Sequence, residues 1–390
     1  MKNLIFLLLL TLQLQAISLK NLNSVEAIYG TNHGTIHGQK INSAPSYFIS
    51  LTTYNDIVFS KHFTITSTIN YTNYTAHYSR AFNKEFSDDE YLELSELMVN
   101  TYITSNNILS TGIFSFKNGA FSEHSQIEFE KSDALMTLYH MIMTGVFYTH
   151  YFNNNNKIQI GYARRIDKIY KLPEDRYDYS RNGSYMTYLF ISHHIGKQTI
   201  KLNISTSNII AQKVDSPSLV NIGRMSIAGL GYQYDDRDDS GILCYTIAGL
   251  NRTNIDSTGL SPTGKPYTNG HKFNFGKEGV KYGYSLLLGV KKDYDANFFG
   301  MDTYTGLEYF YASRNWTSFA ANSATIGQYG WGQLGHTVKV YTGVNITPKI
   351  KLGLTVQAQR ILYSKIPGGN NSYPIDDTQI QSCVRLDILF

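Results

Sequence analysis

The chain is short of the residues on which soluble domains depend. Charged side chains make up 16% of its 390 residues, well under the roughly one quarter usual for soluble proteins, so a water-facing globular surface is poorly provided for. The charges present nearly cancel, 34 Lys and Arg against 30 Asp and Glu, or +4. No long basic run marks a nucleic-acid face, and nucleic acid is not expected as a partner. Of the two cysteines, Cys244 and Cys383, neither lies near the N-terminus, where a lipid would be attached, and they have no metal-ligand spacing. Both fall inside strand-like segments and read as inert strand thiols, with a disulfide as the alternative in an oxidising compartment. Proline is scarce, at 8 residues. Nowhere is there an apolar run of the roughly 18 residues that a membrane-spanning helix needs.

What the chain has instead is aromatic and small polar residues. Aromatics reach 14%, with 31 Tyr and 20 Phe, beside 31 Gly and abundant Thr, Ser and Asn. Tyr, Phe and Thr favour strands, while Asn and Gly supply turns. The composition is that of an all-β protein with one wet and one greasy side. At the N-terminus Lys2, the short apolar run Leu4–Leu12 and the small residue Ala16 have the layout of a secretory signal peptide spanning residues 1–16. Residues 17–390 then form a single domain.

From Ser24 onward the dominant period is two. Phe63, Ile65, Ile69 and Tyr71 oppose Thr64, Thr66, Thr68 and Asn70, and Ile200, Leu202 and Ile204 alternate with Thr199, Lys201, Asn203 and Ser205. Val280, Tyr282, Tyr284, Leu286 and Leu288 oppose Lys281, Gly283, Ser285 and Gly289, and Ile350, Leu352, Leu354 and Val356 oppose Lys351, Gly353, Thr355 and Gln357. Such segments run for about ten residues, the length of a tilted membrane strand and longer than most strands of soluble sandwiches. Connections alternate between short ones, such as Gly196-Lys197, Asn153–Asn156, Asp235–Ser240 and Thr347-Pro348, and long ones, such as 118–134, 251–279 and 364–378. The rhythm predicts a transmembrane antiparallel up-and-down β-barrel of about 16 strands, with roughly 14 to 18 open. The first strand, near Val25–Gly30, is its weakest member.

The last strand carries a resemblance. Ile380, Val384, Leu386, Ile388 and Phe390 share one face; Gln381, Arg385 and Asp387 share the other. A closing strand with a terminal aromatic resembles the C-terminal signature of Gram-negative outer-membrane barrels, which the barrel assembly machinery reads; Phe390 is the assembly signal by that likeness. The whole pattern resembles porins, and the segment Gly306–Trp316, with Glu308, Tyr309 and Trp316, looks like an uncharacterised outer-membrane family of epsilonproteobacteria. The resemblance implies location in the cell outer membrane, contact with its lipid and lipopolysaccharide, a homotrimer as one assembly, and small hydrophilic solutes as cargo. No plug domain is expected ahead of the first strand.

Parity nominates a lumen. Arg165, Lys281, Lys339, Lys351, Arg385 and Asp387 fall on polar faces and are the pore-lining candidates; unpaired cations in a narrow wet barrel raise the local anion concentration, for a mild anion preference. The third long connection carries Glu123, Glu128, Glu130 and Asp133, and by the porin resemblance it is a constriction loop folded inward, the other reading being an exposed acidic loop. Aromatics such as Phe147, Tyr148, Tyr151 and Phe152 read as an interfacial girdle. The turn Asp235, Asp236, Arg237, Asp238, Asp239 lacks the Gly and closing Glu of a helix-loop-helix calcium site and reads as a solvated turn. His193 and His194 are adjacent in a strand, so they point to opposite faces and cannot chelate one ion. Neither a glycine elbow bearing serine nor a His-Glu-x-x-His helix is present, so no enzyme, metal or cofactor is expected. The reading is a porin-like channel for passive or weakly selective diffusion; the alternative is a barrel-anchored surface protein that binds host cells or ligands through its long loops. If Phe390 is the assembly signal, deleting it will reduce insertion into the outer membrane more than an equivalent change at Asp387. Equal tolerance at both positions, read from heat-modifiable mobility on detergent gels, would sink the strand assignment.

Overall fold

The computed structural model describes residues 18–36, 39–42, 46–75, 89–116, 141–165, 185–207, 211–213, 219–221, 223–255, 279–316, 333–364 and 373–390. The proposed signal peptide and the acidic loop Glu123, Glu128, Glu130, Asp133 lie outside the described residues. In chain order the strands are β1 (Ser18–Ile36), β2 (Gln39–Asn42), β3 (Ser46–Ser60), β4 (Phe63–Thr75), β5 (Asp89–Thr104), β6 (Asn107–Phe116), β7 (Met141–Asn153), β8 (Asn156–Arg165), β9 (Met186–Ile195) and β10 (Gln198–Ser207). They continue with β11 (Ala211–Lys213), β12 (Leu219–Asn221), β13 (Gly223–Asp236), β14 (Ile242–Ile255), β15 (Gly279–Phe298), β16 (Met301–Ala312), β17 (Gln333–Thr347), β18 (Ile350–Ser364) and β19 (Tyr373–Leu389). Short β2 pairs with the end of β1, and β11 with β12 forms a separate small hairpin. The remaining strands make a closed 16-strand antiparallel up-and-down barrel.

Closure is made by β1 against β19, with Val25 opposite Ile388, Ile28 opposite Arg385 and Thr31 opposite Ser382. Asn23 and Phe390 exchange both backbone hydrogen bonds at 2.9 Å, which carries the pairing to the last residue. Many strands reach beyond the expected ten residues: β15 has 20 and β1 has 19, while β6, β8, β9 and β10 keep to 10. The segments 55–61 and 291–301, where the alternation lapses, are mostly strand, with turns only at 61–62 and 299–300. The expected long connection 364–378 shrinks to 365–372, because β19 starts at Tyr373. The physical reason is that strands outlast the apolar belt: beyond it the alternation of polar and apolar residues lapses while the backbone ladder continues.

Side chains alternate as the pattern requires. Ile200, Ile204, Leu230, Leu250, Tyr282, Leu288, Val340, Leu354 and Val384 are exposed on the outer face, while Lys201, Asn203, Ser205, Gln233, Asn251 and Ser285 are buried inside. Covering the outer side chains with lipid hydrocarbon would stabilise the barrel by roughly 25 cal/mol per Å² of apolar surface. One expectation needs correction. Phe147, Tyr148, Tyr151 and Phe152 do not form a single girdle: Tyr148 and Phe152 are exposed on the outside, but Phe147 turns inward, 5.2 Å from the ring of Phe114 and 6.5 Å from that of Tyr188. Adjacent strand residues alternate faces, so a run of aromatics splits between lipid and interior.

The short turns all lie at one end. In the asparagine turn, Asn153 Oδ1 accepts hydrogen bonds from the backbone N–H groups of Asn155 and Asn156 at 3.0 and 2.9 Å, an Asx turn. Around Asp235–Ser240 the acids are met by protein cations: Lys197 donates to Asp236 and Asp239, Arg237 lies 2.8 Å from Asp235, and Lys292 donates to the carbonyl of Ser240. Hydrogen bonding to Lys197 holds the Asp236 carboxyl below the usual carboxylate range. No group of three or more His, Cys, Asp or Glu among the described residues is arranged to hold a metal ion. The turn between β15 and β16 is different in kind. Phe299 has φ 50° beside Gly300 at 77° and is 88% exposed, in a left-handed backbone that suits Asn or Gly. Phe299→Asn should stabilise the folded barrel by about 1 kcal/mol, raising the temperature at which the folded gel band disappears. A lower temperature would show that the ring is held by something that outweighs the strain.

Candidate functional site

The candidate site is the inner wall. Lys281, Lys339, Lys351, Arg385 and Asp387 all lie on the inner face of their strands. Arg165 ends β8, opposite Met143 in register, but its side chain lies outside the described residues. Arg164, its neighbour, is exposed. The cations do not all stand unopposed. Lys339 is 3% exposed and its Nζ lies 3.4 Å from Oε2 of Glu308, itself 0% exposed; Tyr245 donates a hydrogen bond to the other carboxylate oxygen. Arg385 reaches Glu26 at 3.3 Å and Asp387 at 3.0 Å. Lys291 lies 3.3 Å from Asp293 and 4.8 Å above the ring of Tyr304. A buried charge away from water needs such partners.

Tyr245, Glu308 and Lys339 lie in a continuous cross-strand row. Tyr245 of β14 is opposite Gly289, Gly289 is opposite Glu308, Glu308 is opposite Lys339, Lys339 is opposite Gln357, and Gln357 is opposite Gln381. The row works because glycines make room for rings. A Cβ added at Gly289 would lie 2.1 Å from the Tyr245 ring, and one at Gly306 would lie 2.0 Å from Tyr341. The rings therefore lie flat on the wall instead of projecting across the lumen, and Tyr304 packs on Gly343 in the same way. A second polar cluster lines β4, β5 and β6: Thr66 and Thr68 donate to the Glu96 carboxylate, each at 3.2 Å, and Ser110 donates to Asn100 at 2.7 Å.

The inner wall is not uniformly polar. Phe114, Ala163, Met186 and Tyr188 form a buried apolar cluster, with Met98 and Phe147 against it. Ile227, Leu243, Ile247, Leu287 and Phe310 are also buried on inward positions. Nor is the third connection the one whose inward course can be described. After β16 the chain turns at Ser313–Trp316: Ser313 N–H donates to Tyr284 O at 2.9 Å, and Trp316 packs on Gly249, where a Cβ would meet its ring at 2.3 Å. Backbone of Asn315 and Trp316 covers Gly283. The two cysteines form no disulfide with each other, and they stand on opposite faces of the wall, Cys244 outward and Cys383 inward.

Glu308 and Glu26 were missed as lumen residues. In β16, aromatics occupy both faces, Tyr304 and Phe310 inward, Tyr309 and Tyr311 outward, so the apolar pattern could not show which way Glu308 pointed. Only its spacing of four residues from Tyr304, on one strand face, could have placed it.

The fold is that of a closed 16-strand porin-like β-barrel. The chain belongs to the family described as "Protein of unknown function (DUF3373)", which matches residues 114–385. Among solved structures it is similar to OmpF of Salmonella typhi in complex with daunomycin, at 10% identity and TM-score 0.56, covering 95% of this chain and 97% of that one. It is also similar to Pseudomonas putida OprB, at 10% identity and TM-score 0.55, covering 98% and 96%, and to an anion-selective porin from Comamonas acidovorans, at 8% identity and TM-score 0.55, covering 96% and 100%. At such identities the likeness is one of fold. No curated protein matches in sequence.

The Glu308–Lys339 pair makes opposite demands on its two members. Glu308→Gln should shift the reversal potential in a salt gradient toward anions, Lys339→Met toward cations, and the double change should return it near the parent value. Each single change should also destabilise the barrel by roughly 3–5 kcal/mol, since it leaves a buried charge unpaired. Single variants with unchanged potential would remove the pair from the ion path.

Proposed function

We infer that the chain is an outer-membrane porin-like channel for the passive, weakly selective diffusion of small hydrophilic solutes. The observation that carries this is the closed 16-strand wall with apolar side chains outside and a row of polar and charged groups inside. Sixteen strands enclose a lumen wider than wall side chains alone fill. Polar groups on the inner face wet it, and inward-turned chain such as Ser313–Trp316 narrows it.

Selectivity follows from the charges. Lys339 and Arg385 bring their own acids, so much of the wall field cancels locally, while Lys281, Lys351 and Arg165 supply the cationic excess. Salt screens what is left within roughly 10 Å at 0.1 M. The expected result is a mild anion preference that grows as salt is lowered. On this reading residues 1–16 direct export, residues 17–390 form the one barrel, the assembly machinery reads the β19 end, and the apolar belt meets outer-membrane lipid with lipopolysaccharide around the long-connection end. A homotrimer is compatible with this arrangement.

Purified protein in a planar bilayer should give discrete conductance steps with weak anion preference, and in cells it should fractionate with the outer membrane. Recovery as a soluble periplasmic protein, or insertion without conductance, would overturn the reading; strong cation selectivity would overturn the lumen assignment.

A further inference from the structure

The inner wall at β18 and β19 carries four glutamines in a two-by-two block: Gln357 opposite Gln381 and Gln359 opposite Gln379. All four are buried, Gln357 at 0% and Gln359 at 3% exposure. Spacing of two along each strand sends all four amides to the same side of the sheet. Neither the amide nitrogen nor the oxygen of Gln357 or Gln359 has a hydrogen-bond partner. A buried amide in that state is unfavourable until something enters that can both donate and accept.

The neighbours narrow what that something is. Lys339, opposite Gln357, is paired with Glu308, and Arg385, on the same strand as Gln381, is paired with Glu26 and Asp387. The groups left unsatisfied on β18 are therefore neutral, and each combines donors with an acceptor. An anion would satisfy the amide N–H groups and leave the oxygens; a cation would do the reverse. A hydroxyl donates and accepts at one atom, and a ring of hydroxyls matches a block of amides.

We propose that the glutamine block on β18 and β19 is a contact site for neutral polyhydroxylated solutes, sugars and polyols, as they pass along the channel. It rests on the channel reading above and adds a substrate class to it. Passage would be favoured by weak binding: strong enough to fill the site, weak enough to release.

The test uses the full-length protein in planar bilayers, with maltotriose added to one side and, separately, a polyethylene glycol of matched hydrodynamic radius, which accepts hydrogen bonds but donates few. Maltotriose should interrupt the current saturably in the millimolar range, and the glycol should not. Gln357→Met with Gln359→Met should weaken the maltotriose block at least tenfold in channels that still insert and conduct. Should the double variant fail to insert, the single changes Gln359→Met and Gln357→Ser, the latter keeping a hydroxyl, should weaken the block strongly and slightly, respectively. Equal block by sugar and glycol, a non-saturating sugar effect, or an unchanged block in the Met variants would overturn the site while leaving the channel in place. Absence of any conducting state would instead overturn the channel reading itself.

Discussion

Everything in this molecule depends on the ladder between β1 and β19. Within hydrocarbon no water is available to an unpaired backbone N–H or C=O, and each one left bare is costly. An open sheet would leave two such edges; pairing Ser24 with Leu389 through Gly34 with Gln379 leaves none along that seam. Closure also decides which side is which. Once the sheet is a cylinder, the two faces of every strand become lipid and lumen, and the period of two, which in an open sheet would separate only top from bottom, separates solvents. The exposed Leu, Ile, Val and Tyr of the outer face and the buried polar residues within are both consequences of that one constraint.

The same logic explains how far the structure was legible. The strands around Thr199–Thr206, Val280–Val290 and Ile350–Ala358 were clear because apolar and polar residues alternate without a break. The number of strands followed from the alternation of short and long connections. The ends of strands were not legible: β3 continues through Asn55-Asp56 to Ser60, and β15 through Lys291–Asp295 to Phe298, because outside the apolar belt both faces can be polar. Aromatics misled in the same way. Phe147 and Tyr148 look alike in sequence, yet one packs on Phe114 inside the barrel and the other faces outward, since an aromatic ring serves either environment.

Pairing across strands was the least legible feature, because it depends on register. Lys339 and Arg385 could be put on the inner face by parity, but parity names no partner. That Glu308 stands opposite Lys339, and that Gln357 stands opposite both Lys339 and Gln381, depends on the turns that set the offset between β16, β17, β18 and β19. The bulges at Asn345/Thr347 and Ile361/Tyr363 each shift that offset by a residue. One residue of slip would send a whole strand's side chains to the opposite face, so no reading of single strands could have assembled the row.

The row in turn says what kind of filter this wall can be. A pore that selects by charge needs fixed charges without local counter-ions, so that the field extends into the water. Here the cation of the row and the one beside it are each paired: Glu308 holds Lys339, and Glu26 with Asp387 holds Arg385. Paired charges at about 3 Å act as dipoles whose influence falls off quickly and is screened further by salt. On the proposed channel reading, discrimination at this level of the wall would depend on hydrogen-bonding shape more than on net charge, with neutral amides and hydroxyls to provide it. The long-range component of the field would then belong to the less buried lysines, Lys281 and Lys351, and ionic preference and solute recognition would be carried by different residues and change independently.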